Sequence, residues 1–113
     1  MPRRSIVAAL MVLIGMTAAQ AKDTQFWNLT AEKIVKLQLS KAGENNWGKN
    51  QTDNDPDRSV DPDERLKILD VADGAYDIRI TDEKGRTCLV ANVSVAVGQR
   101  FAIKESQLTG CVR

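Results

Sequence analysis

The sequence predicts an all-β fold: a small antiparallel immunoglobulin-like sandwich of about seven strands, with one long acidic loop. Apolar and polar residues alternate with a period of two in several short segments, as in strands that bury one face. Turn-forming residues, mainly Gly and Asp, separate these segments. Roughly twenty-five residues between two of the predicted strands lack the alternation, which indicates a long connection.

The alternation defines the individual strands. It is clearest where Val35, Leu37 and Leu39 are separated by polar residues, because such spacing directs one set of side chains to a dry face. The full set of predicted strands is 25–29, 35–40, 66–71, 76–81, 87–90, 93–97 and 101–103. Spacing of this kind favours a sandwich over a parallel α/β fold.

The N-terminal segment has the composition of an export signal. Arg3 and Arg4 precede an uncharged apolar stretch at 6–19, and Ala19-Gln20-Ala21 fits a cleavage site with small residues. The apolar stretch is too short for a comfortable membrane span. We therefore expect a signal peptide at 1–21 and a single domain at 22–113, periplasmic or secreted after cleavage near Ala21.

Charge and residue types narrow the function. Residues 22–113 hold 14 Lys and Arg against 15 Asp and Glu, so neither nucleic acid nor a membrane surface is the expected partner. The sequence contains no His, which removes the commonest general base and transition-metal ligand. It also lacks nucleophile-elbow and phosphate-loop glycine patterns. We therefore do not expect an enzyme.

The two cysteines predict a structural bridge. Cys88 and Cys111 both lie within the expected mature chain, and paired cysteines in an exported domain usually form a disulfide. Such a bridge would contribute about 3 kcal/mol. The alternative, a redox pair, lacks the CxxC spacing that such pairs use.

An acidic loop at 53–64 carries the functional prediction. Its twelve residues, DNDPDRSVDPDE, include six of the fifteen carboxylates and one basic residue, Arg58. A calcium-type loop takes ligands from positions 1, 3, 5, 7, 9 and 12. Those positions are filled here by Asp53, Asp55, Asp57, Ser59, Asp61 and Glu64. The spacing predicts a hard-metal site with Asp53, Asp55, Asp57, Asp61 and Glu64 as ligands.

The same residues also allow an interpretation without metal. The sixth position of a calcium-type loop is normally Gly, because the chain turns sharply there, and here it is Arg58. No helical periodicity precedes the loop, so a true EF-hand is not predicted. Asp61, Pro62 and Glu64 fit a helix N-terminus with its cap. Asp and Pro together also describe a solvated surface loop.

Short motifs along the chain resemble those of small exported bacterial β-sandwich proteins. The motifs are Phe26-Trp27-Asn28-Leu29-Thr30, Trp47-Gly48-Lys49-Asn50, and Tyr76-Asp77-Ile78-Arg79 with Asp82 and Gly85. The acidic loop is similar to the loops of periplasmic lanthanide-binding proteins, in which Asp commonly stands at position 9, as Asp61 does here. The resemblance implies a small periplasmic protein of a lanthanide uptake system, acting as a lanthanide chaperone.

Two functions remain open from the sequence. One is a carrier or chaperone that binds a lanthanide(III) ion or Ca²⁺ through residues 53–64. A stiff loop would leave such an ion partly uncovered, which predicts metal-dependent homodimers. The alternative is an interaction module without a metal role, whose sheet edge or Trp47 loop docks another periplasmic protein.

Overall fold

The computed structural model describes residues 22–113, and the predicted signal peptide at 1–21 lies outside them. The described part contains seven strands and two 3₁₀ turns, at Gln51–Asn54 and Glu105–Gln107. The strands are β1 (Thr24–Leu29), β2 (Ile34–Lys41), β3 (Arg65–Ile68), β4 (Gly74–Asp82), β5 (Thr87–Val95), β6 (Arg100–Lys104) and β7 (Thr109–Val112). The predicted all-β fold is confirmed. No helix within 22–113 is long and apolar enough to cross a membrane.

The strands form two sheets, with strand orders β3–β1–β6 and β2–β4–β5–β7. The β1–β6 pair is parallel, while the other pairings among the described strands are antiparallel. Strand β1 is thus the centre of the smaller sheet. Its side chains alternate between the core and the outer face, since every second residue is buried.

The core lies between the inner faces of the two sheets. Phe26 of β1 and Phe101 of β6 are paired in register, with ring centroids 5.6 Å apart, an ordinary separation for a favourable aromatic pair. The remaining core side chains are Ile34, Leu37, Leu39, Val60, Leu66, Ile68, Tyr76, Ile78, Ile80, Val90, Val95 and Ile103. Most follow the predicted alternation. Val35 does not, because a register shift after Ile34 turns Val35 outward.

Two strands differ from the prediction. The predicted pair 87–90 and 93–97 is a single strand, β5, interrupted by a bulge opposite Asp77. Asn92 takes a φ of 61° in this bulge, a conformation that Asn tolerates better than most residues. The seventh strand is instead β7, which the sequence did not suggest because its four residues are exposed and show no apolar alternation.

The predicted disulfide between Cys88 and Cys111 is present. It joins buried Cys88 in β5 to Cys111 in β7, 23 residues later. The β5–β7 pairing is short and irregular, with Thr87 opposite Val112 and Leu89 opposite Thr109. The covalent bond therefore supplements a weak hydrogen-bonded ladder at the C-terminal end of the described chain.

Candidate functional site

The long connection between β2 and β3 closes one side of the sandwich. Asn50 Oδ1 accepts a hydrogen bond from the Leu37 N–H in β2 at 2.9 Å. Asn54 Nδ2 donates to the Lys67 carbonyl in β3 at 2.8 Å. The two side-chain amides thus bond to backbone groups at the outer edges of β2 and β3, where a further strand would otherwise pair. Fewer edge groups are then free to pair with other chains. The predicted long loop is therefore ordered and tied to both sheets.

A buried asparagine and a backbone bridge hold the second half of this connection. Asn28 in β1 is fully buried, and its Nδ2 donates to the Val60 carbonyl at 2.9 Å. Its Oδ1 accepts from the Thr30 N–H and hydroxyl at 2.9 and 2.6 Å. Val60 and Ile34 exchange two backbone hydrogen bonds of 2.9 Å. Val60, the eighth residue of the acidic loop, is therefore fixed in position.

Arg58 makes the sharp turn at the sixth position of the acidic loop. Its φ is 55°, in the left-handed region that a calcium-type loop normally reaches with Gly. The Arg58 N–H donates to the Asp55 carbonyl at 2.9 Å, which closes the turn. A residue with a Cβ atom, such as Arg58, adopts this left-handed conformation only at a cost in free energy.

The first three predicted ligands lie in and after the first 3₁₀ turn. Asp53 belongs to the turn and is exposed, as is Asp57. Asp55 is half-buried, and its Oδ2 accepts a hydrogen bond from the Asp57 N–H at 2.8 Å. This part of the loop therefore presents acidic side chains at the protein surface. Asp55 already uses one oxygen to hold the local backbone.

The last two predicted ligands have local partners. Glu64 Oε1 accepts from the Asp61 N–H at 2.7 Å, which is the reciprocal bond of the predicted cap. The Asp61 carboxylate, 62% exposed, lies 3.7 Å from Lys33 Nζ. The helix that this cap pattern also predicts does not form, because β3 begins at Arg65. The segment is a capped turn that leads directly into a strand.

The described acidic side chains are not gathered into a closed cage. Within residues 22–113, no three His, Cys, Asp or Glu side chains converge closely enough to hold a metal ion. The loop places Asp53, Asp57 and Asp61 at its exposed surface. Asp63, which was not among the predicted ligands, accepts a hydrogen bond from the Trp27 indole N–H at 3.0 Å.

Trp27 is the centre of a feature that the sequence analysis missed. Its half-buried ring lies on the outer face of β1, with the guanidinium carbons of Arg65 and Arg100 at 4.7 and 5.6 Å from the ring centroid. Cation–π attraction favours this arrangement. The available signal was the alternation in β1, which puts Trp27 outward between Phe26 and Asn28. The pairing of β1 with β3 and β6 could not be read from it.

Trp47 covers part of the other outer face. Its ring lies beneath the Arg79 guanidinium, 4.5 Å from centroid to Cζ, and its Nε1 donates to Asn45 Oδ1 at 2.9 Å. A cleft of about 170 Å³ lies beside it and is lined in part by Asp77 and Leu89. The Asp77 carboxylate already accepts hydrogen bonds from the Gly43 and Asn92 N–H groups. These bonds lower the pKa of Asp77.

A charged network fixes the end of the sandwich where the β4–β5 hairpin meets the segment after β6. Arg86 donates to the buried Asp82 carboxylate at 2.9 Å and to Glu105 at 3.0 Å. Burial opposes ionisation of Asp82, but hydrogen bonds from Arg86 and Lys84 outweigh it and lower its pKa. The hydrogen bond from Arg86, followed by that from the Ala31 N–H, lowers the pKa of Glu105. This network is structural.

Comparison of the chain with protein-family models, with curated proteins and with solved structures gives no match.

Proposed function

We propose that residues 53–64 bind a hard cation, a lanthanide(III) ion more tightly than Ca²⁺, and that the protein carries this ion as a periplasmic carrier or chaperone. The observation that supports the proposal best is the conformation of Arg58. Its φ of 55° gives the loop the turn that a calcium-type loop needs at its sixth position. Val60, two residues later, is anchored to Ile34. The loop thus combines a turn at its sixth position with a fixed eighth residue.

The charge of the loop favours a trivalent ion. The proposed ligands are Asp53, Asp55, Asp57, Asp61 and Glu64. Five carboxylates around one site repel each other, and an ion of charge three offsets that repulsion more than an ion of charge two. Lanthanide(III) ions and Ca²⁺ are both hard cations that prefer oxygen ligands. The donor chemistry of the loop therefore fits either ion, with the charge favouring the lanthanide.

Binding would require some side chains to change partners. Glu64 would exchange its bond to the Asp61 N–H for the metal, and Asp61 would leave Lys33. Asp53 and Asp57 are exposed and therefore accessible to an ion from solvent. We therefore propose that the first half of the loop captures the ion and that Asp61 and Glu64 follow. Water, or the loop of a second copy, would fill the remaining positions.

An exported location is consistent with this role. The disulfide between Cys88 and Cys111 is typical of proteins in oxidising compartments. Together with the predicted signal peptide at 1–21, it supports a periplasmic or secreted protein. The similarity of the loop to those of periplasmic lanthanide-binding proteins favours a chaperone in a lanthanide uptake system. We assign the protein no catalytic activity.

Terbium luminescence tests the proposal on the oxidised protein that begins at Lys22. Excitation of tryptophan should produce terbium emission that saturates at one ion per chain, and lanthanum should compete more strongly than Ca²⁺. Asp53→Asn combined with Asp57→Asn should abolish the emission and leave the unfolding temperature of the metal-free protein unchanged. The matched control is Glu44→Gln with Glu83→Gln, which removes the same charge from exposed positions elsewhere.

The titration can also overturn the proposal. If the wild type gives no sensitised emission, and neither lanthanum nor Ca²⁺ raises its unfolding temperature, the acidic loop is a solvated surface segment. If the control pair loses emission as completely as the loop pair, binding reflects net charge alone. Either result would leave Asp61 and Glu64 as a capped turn and the other acidic residues of the loop as solvated surface.

A further inference from the structure

We propose that the outer face of the β3–β1–β6 sheet and the free edge of β6 form a docking site for an extended acidic segment of a partner protein. The basic-aromatic face, as we name it, consists of Trp27, Arg65 and Arg100. The adjoining edge consists of the backbone of Arg100 and Ala102. This inference does not depend on metal binding by the acidic loop.

The basic-aromatic face is built by three strands. Trp27 lies on the central strand, opposite Arg65 of β3, and Arg100 of β6 is opposite Gln25, two residues before Trp27. Each neighbouring strand thus places one guanidinium against the same indole. The stacked rings and guanidinium groups are held in place before any partner arrives. Trp and Arg are also the residues that most often dominate the binding energy of protein interfaces.

The cations of this face lack carboxylate partners in the described chain. The ion pairs within residues 22–113 involve four cations outside this face, Lys33, Lys67, Lys84 and Arg86. Arg65, Arg100 and Lys104 are exposed and have none. Arg100 and Lys104 project on the same side of β6, since the residues that alternate with them are buried. An anionic partner would therefore meet unpaired positive charges along β6 and beside the Trp27 ring.

The edge of β6 offers backbone groups as well. Among residues 22–113, β6 is the last strand of its sheet, and the Gln25 N–H donates to the Gln99 carbonyl on the inner side. Residues alternate in direction along a strand, so the N–H and C=O groups of Arg100 and Ala102 point away from β1. The Lys104 N–H is already bonded to Gln107 Oε1 at 2.8 Å. An added strand would pair with the two free residues, the usual mode of β-strand addition.

The charges select an acidic polypeptide over the other candidates. Two β6 edges from two copies would bring Arg100 and Lys104 against the same cations, which disfavours edge-to-edge dimers. A nucleic acid base would have to displace the guanidinium groups from Trp27 in order to stack on its ring. An extended segment with acidic residues at alternate positions meets neither obstacle. Its carboxylates can bind the guanidinium groups with two parallel hydrogen bonds.

The test uses the oxidised protein from Lys22 onward, in a buffer with a chelator and low salt. The probe is a capped ten-residue peptide of alternating Glu and Thr, and Trp47→Phe makes Trp27 the fluorescence reporter. We expect saturable binding that weakens with salt. Arg65→Glu with Arg100→Glu should weaken it by at least about tenfold. The control is Lys36→Glu with Lys41→Glu on β2. It makes the same change in net charge at two exposed residues of the other sheet and should leave binding unchanged.

Amide exchange distinguishes strand addition from simple charge attraction. The peptide should slow exchange of the Arg100 and Ala102 amides. Ala102→Pro, which removes an outward N–H at an edge where Pro is tolerated, should weaken binding without unfolding the domain. This variant keeps the test decisive if the double Arg variant fails to fold.

Several results would overturn the proposal. One is a lack of saturation at about 1 mM peptide, because a Kd of that size corresponds to a binding free energy of only about 4 kcal/mol. Another is an equal loss of binding in the β2 control variant. Equal binding of an alternating Lys and Thr peptide, or tighter binding of a ten-nucleotide oligothymidylate, would also overturn it. Because the chelator is present throughout, a negative result concerns the docking site alone. The metal proposal would still be decided by its own titration.

Discussion

The indole N–H of Trp27 donates to the Asp63 carboxylate, with Nε1 and Oδ1 3.0 Å apart. The two residues are separated by 36 positions in the sequence, yet this bond joins the outer face of β1 to the acidic loop. The same N–H also approaches the Asp63 carbonyl oxygen at 3.2 Å. Trp27 therefore reports on the loop directly. Trp47, which is nearer to it in sequence, stacks on Arg79 of the other sheet.

This contact predicts which tryptophan sensitises a bound terbium ion. Energy transfer falls steeply with distance, so Trp27→Phe should remove most of the sensitised emission and Trp47→Phe should remove less. Lanthanum affinity, measured by calorimetry, serves as the control and should be similar in both variants. Larger loss in Trp47→Phe would contradict the prediction and would place the ion nearer to Trp47 than to Trp27.

Arg58 predicts a gain in metal affinity on substitution. Arg58→Gln removes a positive charge and keeps the Cβ atom, so lanthanum affinity should rise about threefold. Arg58→Gly also relieves the cost of a positive φ, about 1 kcal/mol, although Gly gains freedom in the unfolded chain. Because the turn has this φ already without metal, the cost is common to the free and bound states. The affinity of Arg58→Gly should therefore match that of Arg58→Gln, at nearly unchanged stability. Calorimetric titration and thermal unfolding measure the two effects.

Arg58→Val provides the opposing control. A β-branched side chain is disfavoured at positive φ, so this variant should lose both stability and affinity. Equal lanthanum affinity for the Val and Gly variants would mean that the turn at position six does not contribute to binding. The charge of the loop would then be the whole explanation.

Much of the fold was predictable because period-two alternation depends on local sequence. Tyr76, Ile78 and Ile80 point to the core as their spacing indicates. Strand β7 was not predictable, because its place depends on the disulfide and on pairing with β5. The parallel pairing of β1 with β6 is also a tertiary property. The alternation in each strand says nothing about its neighbour.

The acidic loop was predictable in composition and less so in conformation. Arg58 stands at position six, where the calcium-type pattern expects Gly, and it makes the turn nonetheless. The interpretation of Asp61 and Glu64 as a helix N-terminus was correct in its capping hydrogen bond and wrong in its helix, because β3 begins at Arg65. What sequence could not give is the anchoring by Asn28, a single buried polar residue that holds Val60 from another strand. Long-range polar contacts of this kind leave no periodic trace.

A partly covered ion predicts metal-dependent association. If the loop supplies too few oxygen ligands for a large ion, a second copy can provide the rest, and the ion would lie at the contact. Sedimentation at saturating lanthanum and high protein concentration should show a dimer that a chelator dissolves. The Asp53→Asn, Asp57→Asn variant should remain monomeric. An unchanged wild-type monomer would indicate that water or the loop itself completes the shell.

The disulfide, together with the predicted signal peptide, predicts the covalent state of the mature protein and its stability. Intact mass from a periplasmic fraction should begin at Lys22 and be two hydrogens lighter than the reduced chain. Replacing Cys88 and Cys111 by Ala should lower the free energy of unfolding by about 3 kcal/mol. Amide exchange in β7 should rise before exchange in β5, since β7 has few other bonds. Retention of residues 1–21, or free thiols after native purification, would contradict the prediction.

The Asp82–Arg86–Glu105 network predicts a dependence of stability on pH. Folding lowers the pKa of both carboxyls, so their contribution is fully present above the unfolded values of about 3.9 for Asp and 4.3 for Glu. It is lost as pH falls through the folded pKa values. Asp82→Asn should therefore destabilise the protein at pH 7 by about 2 kcal/mol, because buried Asp82 holds Arg86 and the hairpin backbone.

Below about pH 4 the unfolded chain binds a proton at Asp82 before the folded protein does, so the difference in unfolding free energy between wild type and Asp82→Asn should narrow. Glu105→Gln should cost less than Asp82→Asn, since the Glu105 side chain is 44% exposed and solvent weakens its ion pair. Glu83→Gln, at an exposed position of the same hairpin, is the matched control and should follow the wild-type curve. Urea unfolding between pH 7 and pH 3 measures all four proteins. A constant gap between wild type and Asp82→Asn over that range would show that the Asp82 charge does not stabilise the fold and that its hydrogen-bonding shape alone does.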